Sequence, residues 1–62
     1  MIVTVKSSKP SVVMFEAMKF GVEAEAFVDG TVNLSVQDLD RAKNVIKPAN
    51  GQIVSVVDMA HM

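Results

Sequence analysis

A chain of 62 residues with no cysteine and a net charge of −1 makes one domain at most, excludes disulfide staples and thiolate metal sites, and lacks the basic footprint of most nucleic-acid binders. Half of the residues are apolar, yet only Phe15, Phe20 and Phe27 are aromatic, so aliphatic side chains and five methionines must fill a thin core. The longest unbroken apolar run is four residues and the N-terminus lacks the basic-then-apolar order of a signal peptide, so the expectation is a soluble, cytoplasmic protein with no membrane partner.

Residues 2 to 5, Ile-Val-Thr-Val, are β-branched throughout and predict a first strand. Pro10 fixes its own φ and suits the first helical position, so a helix is expected from Pro10 to about Phe20. Met14, Ala17, Met18 and Gly21 recur at helical spacing on one side, with Glu16 and Lys19 on the other. Val13, Phe15 and Phe20 widen the apolar side and Val12 falls near Glu16, which predicts burial on more than one side or a contact surface. Gly21 should end the helix in a left-handed conformation.

From Val22 to Val28 the alternation predicts a strand with Val22, Ala24, Ala26 and Val28 inside and Glu23, Glu25 and Phe27 outside. Asp29-Gly30 signals a two-residue hairpin, with residues 31 to 35 returning and Val32 and Leu34 facing the core. Ser35 is expected to open a second helix, with Asp38 three residues on, and Val36, Leu39, Ala42 and Ile46 along its apolar face. Gln37, Asp40, Arg41, Lys43 and Asn44 face water, and Pro48 should stop the helix near Lys47. Residues 48 to 51 turn, and residues 53 to 59 supply a last strand. The order strand-helix-strand-strand-helix-strand predicts one α+β domain over residues 1 to 62, an open-faced sandwich of a four-stranded antiparallel sheet with two helices on one face.

Chemistry is sparse. Ser7, Ser8 and Lys9 flank the N–H groups at the start of the first helix, where an anion could sit, although serines there also serve as plain turn and cap residues. Glu23 and Glu25 form either an acidic strip or a solvated strand face. Asp38 and Asp40 are two apart on a helix and diverge, so they are no acid and base pair. A serine nucleophile lacks a base, since the single histidine, His61, is next to the terminus, and Ser8 and Lys9 are only sequence neighbours. No metal site or cofactor is expected, and the three isolated glycines form no phosphate-cradling loop. Apolar residues with no clear interior place, Val12, Phe27, Met59 and Met62, together with Phe15, suit a protein contact. Residues 2 to 5 or 31 to 35 are also candidates for pairing with a second copy across a sheet edge.

The element order and two local motifs resemble the histidine-containing phosphocarrier family HPr of the sugar phosphotransferase system. That family's active loop reads His-x-Arg-Pro at the start of its first helix, and Ser7-Ser8-Lys9-Pro10 stands in that place. The helix over residues 9 to 21, the Asp29-Gly30 hairpin and the stretch Val-Asn-Leu-Ser-Val-Gln-Asp-Leu around Ser35 complete the resemblance. It implies that Lys9 matches the arginine beside the phosphoryl group and that Ser35 matches a regulatory phosphorylation site at the second helix start. Ser7 occupies the position of the phosphorylated histidine, the first loop is shorter, and the family's third helix has no counterpart. The implication is a degenerate regulatory relative without phosphocarrier activity, with an HPr-like or ferredoxin-like fold.

The residues therefore predict a non-enzymatic module that binds another protein through Val12, Phe15 and Phe27. The alternatives are an anion or phospho-ligand binder using Ser7, Ser8 and Lys9, and a homo-oligomeric subunit.

Overall fold

The β-branched start of the chain forms β1, Ile2–Lys6, in a computed structural model that describes residues 1–57. It is followed by α1, Pro10–Lys19, β2, Glu23–Ala26, β3, Thr31–Ser35, α2, Leu39–Ile46, a 3₁₀ turn over Lys47–Ala49, and β4, Gln52–Val57. The end of the expected last strand, with Met59, His61 and Met62, lies outside the described residues.

All neighbouring strands are antiparallel, in the order β2-β3-β1-β4. β1 and β2 therefore run parallel with β3 between them, and β3 and β4 run parallel with β1 between them. These are two interleaved split β-α-β units. Residues 2 to 5 and 31 to 35 consequently occupy the sheet's centre, and the edges are β2 and β4. That corrects the expectation that the central pair could recruit a second copy, because their backbone groups are already paired on both sides.

One sheet face carries the core. Val3 and Val5 of β1 and Val32 and Leu34 of β3 are fully covered by Val13 and Ala17 of α1 and by Ala42, Val45 and Ile46 of α2. The opposite face is mostly polar, with Ile2, Phe27 and Val57 among its apolar members, and no described helix covers it, as antiparallel sheets allow. There the Thr4 hydroxyl donates to Asn33 Oδ1 at 2.7 Å across β1 and β3.

α1 ends as its glycine predicts. Gly21 has φ +70°, its N–H donates to Met18 C=O at 3.2 Å, and the Val22 N–H donates to Ala17 C=O at 2.8 Å. This is a Schellman cap, and it swings the chain back toward β2.

Three local expectations are corrected. The hairpin between β2 and β3 has a three-residue loop: the Gly30 N–H donates to Phe27 C=O at 3.2 Å and Phe27 pairs with Thr31. A two-residue primed turn needs positive φ at its first central residue, here Asp29, but only Gly30, at +89°, takes one, so the loop is a turn closed by a glycine bulge. Val28 is thereby fully exposed at the tip rather than buried in a strand.

Ser35 does not open α2. It pairs with Ile2 on one side and Glu23 on the other, which keeps it in β3. The cap is Asp38, whose carboxylate accepts from the Arg41 N–H at 3.0 Å. Leu39 is accordingly half-exposed, and Val45 takes the core position beside Ala42 and Ile46.

α1 is rotated relative to the expected stripe. It touches α2 and the 3₁₀ turn as well as β2 and β3, so its buried line is Val13 and Ala17. Glu16, expected to face water, is largely covered, and Met18, expected inside, is 70% exposed.

Pro48 ends the α-helical ladder without ending the coil. Lys47 stays helical and the chain winds on as 3₁₀ to the buried Ala49, until Asn50 turns left-handed at φ 52°.

Candidate functional site

The Ser-Ser-Lys-Pro stretch sits between β1 and α1, and its polar groups are mostly engaged within the fold. The Ser7 hydroxyl donates to Ala49 C=O at 2.9 Å and accepts from the Lys9 N–H at 3.0 Å, tying the loop to the 3₁₀ turn. Lys9 is the cap residue, and its C=O accepts from the Val12 and Val13 N–H groups at 3.0 and 3.3 Å. Pro10 has no N–H, so of the first-turn amides of the helix only that of Ser11 is left without a partner among the described residues. Ser8 and Lys9 are exposed, and neither side chain makes a hydrogen bond among those residues. Anion cradles at helix starts rely on several convergent N–H groups, and here one remains.

Ser35 is exposed at the end of β3, more than one residue ahead of the Asp38 cap. The position that the HPr resemblance places at a helix start is thus a strand end.

Titratable groups are scattered. Asp29 accepts from the Thr31 hydroxyl at 2.6 Å and the Thr31 N–H at 3.0 Å, and these bonds, the hydroxyl's first, hold its carboxyl below the usual aspartate range. The ion pairs are local: Lys19 with Glu16 at 3.4 Å, and Arg41 with Asp38 at 3.7 Å. Among the described residues, no three of His, Asp and Glu converge on a metal-sized space.

The three expected contact residues do not share a surface. Val12 packs against the core. Phe27, 42% exposed, stands opposite Thr31 and so continues the outward set of Glu23 and Glu25 on the helix-free face of the sheet. Phe15 is 56% exposed on the far side of α1.

Met18 is the side chain that the sequence reading placed wrongly and that matters most here. Phe15 and Met18 stand one helical turn apart above an open groove between α1 and β2, lined also by Ser11, Met14, Val22 and Ala24. The groove exists because β2 reads Glu-Ala-Glu-Ala: its inward residues, Ala24 and Ala26, are too short to fill the space beneath the helix. That composition was visible beforehand as a signal, since an edge strand with alanine on its inner face cannot close against a helix that carries large residues.

No protein-family model, no curated protein and no solved structure matches the chain.

Proposed function

We propose that this chain is a non-enzymatic module that binds another protein through the face built by α1 and β2. The observation that carries the reading is the pairing of Phe15 and Met18, each more than half exposed, on the rim of an apolar groove. Methionine and aromatic side chains are enriched at the centres of protein interfaces, where each buries a large area at low polar cost. Single exposed apolar residues are ordinary, but two adjacent large ones on a groove form a patch.

The test compares capture from a cell extract by the immobilised wild-type chain, by Phe15→Ser/Met18→Ser, and by Lys9→Ala. A partner retained by wild type and Lys9→Ala and lost by the double variant supports docking on this face. Equal capture by the double variant refutes it. Loss with Lys9→Ala alone would favour the phospho-ligand reading, which titration with inorganic phosphate then checks at the Ser7, Ser8 and Ser11 amides.

A further inference from the structure

We propose that the groove is one wall of a strand-binding slot, and that its occupant is an extended segment of another protein in which apolar and basic residues alternate, added along the free edge of β2. The inference rests on the α1–β2 face being the docking face and goes further, to the mode of binding and the partner's chemistry.

The backbone phase of β2 comes from its pairing. In an antiparallel ladder, opposed residues alternate between pairs that exchange both backbone bonds and pairs that exchange none. The Phe27 N–H donates to Thr31 C=O at 2.9 Å, so Phe27 belongs to the bonded set. With Glu25 opposite Asn33 and Glu23 opposite Ser35, those two share its phase. The N–H and C=O groups of Ala24 and Ala26 therefore point away from β3, and no described strand pairs with that edge. An incoming strand finds donors and acceptors there at the spacing it needs.

The two sides of the slot differ in chemistry. Toward the helices, Ala24 is short and lines the groove with Met14, Phe15 and Met18, so inward side chains of an added strand enter an apolar space. Toward the open face stand Glu23 and Glu25, both exposed and without an ion pair among the described residues. Successive side chains of a strand alternate between faces, so apolar residues at alternate positions meet the groove and the intervening ones meet carboxylates. Lysine or arginine fits there.

A second copy is a poor occupant. β2 against β2 sets glutamates of one face against each other, which is unfavourable across a strand pair. The other edge strand, Gln52–Val57, has no basic residue to offer.

The experiment titrates the full chain with a short capped peptide alternating lysine and valine, and with its glutamate-valine counterpart, following amide NMR shifts and hydrogen exchange. The expected result is saturable shifts and slowed exchange at Ala24 and Ala26 with the lysine peptide only, with a Kd of about 0.1 to 1 mM. Glu23→Gln/Glu25→Gln should weaken binding about tenfold and remove most of its salt dependence. Equal binding of both peptides overturns the proposal. Shifts confined to α1 overturn strand addition while leaving the docking face in place. No binding of either peptide also overturns it, and the Phe15→Ser/Met18→Ser capture result then decides separately whether the face docks anything. Protection of Ala24 and Ala26 that rises with protein concentration alone would make the occupant a second copy, and overturns it too.

Discussion

Phe15→Ala separates the rotation found for α1 from the one the hydrophobic pattern suggests. A phenylalanine buries about 150 to 250 Å² when fully covered, and truncating one in a core costs about 3 to 5 kcal/mol. Phe15 is 56% exposed, so a little under half of its surface is covered. At about 25 cal/mol per Å², and with the reduction a compact unfolded chain requires, the loss is about 1.5 kcal/mol. Its contact with the Lys19 ammonium, 5.8 Å from the ring centroid, adds about 0.5 kcal/mol at an exposed site. The expected cost is therefore about 2 kcal/mol. Urea denaturation followed by far-ultraviolet circular dichroism measures it, with Leu34→Ala as the internal standard. Leu34 is fully buried, so its truncation should cost about 2 to 5 kcal/mol. A chain of 62 residues has a total stability of about 3 to 9 kcal/mol, so the comparison is made on the shift of the urea transition rather than on the unfolded fraction in water. If Phe15→Ala costs about 3 to 5 kcal/mol, as a core ring does, the ring is in the core, the helix is rotated the other way, and the docking face loses its main residue.

Other perturbations test particular contacts. A Cβ on Gly51 would lie 2.9 Å from Ile46 Cβ, so Gly51→Ala should cost about 1 to 3 kcal/mol, and an unchanged urea midpoint would show that the 3₁₀ turn does not approach so closely. Ser7→Ala removes the tie to Ala49 C=O and should cost about 1 kcal/mol by the same assay; no loss would mean that water replaces the hydroxyl. Asp29 binds its proton less tightly folded than unfolded, so its contribution is present above the unfolded aspartate pKa and is lost as pH falls from about 4 through the lower folded value. An acid titration of stability should accordingly be less steep in Asp29→Asn, and identical slopes would refute the part played by the Thr31 bonds.

Much of the fold was legible because period and punctuation agree. The strand at residues 2 to 5, the Gly21 cap, and the inward placement of Val32, Leu34, Ala42 and Ile46 follow from local rules that tertiary contacts reinforce. The misses have tertiary causes. α1 is apolar on most of its circumference, so its sequence does not fix its rotation; the 3₁₀ turn and α2, packed beside it, do. Ser35 and Asp38 are both cap-competent, and pairing with Ile2 and Glu23 decides between them. Strand order is not written in any one segment, which is why the central strands looked as available as the edges. For the candidate face, Phe15 was legible as a contact candidate, although the pattern also put it on the apolar side of α1. Met18 was not, and Phe27 went to the opposite face because strand parity, rather than apolarity, sets its side.

The division of apolar residues between inside and outside bears on function. The largest fully buried side chains are Leu34, Val3, Val5, Val13, Val32 and Val45, while Phe15, Met18 and Phe20 are more than half exposed. A small domain gains most by burying its largest apolar groups, because each contributes area that valine cannot. This chain does the reverse, with valine and alanine at the α1–sheet contact holding the helix close to the sheet and leaving no room for the larger residues. Phe15 and Met18 collect instead beside the edge strand with the shortest inward side chains, and Phe20 lies beside Val22 and the start of α2. The same alanines that let α1 sit close to the sheet leave the slot beside β2 unfilled, and filling it from within tests the link. Ala24→Leu, at the half-buried β2 position that lines the groove, should occupy the groove without displacing the core. If the α1–β2 face docks a partner, that variant should keep the wild-type unfolding free energy to within about 0.5 kcal/mol and lose capture. Unimpaired capture would place the interface elsewhere.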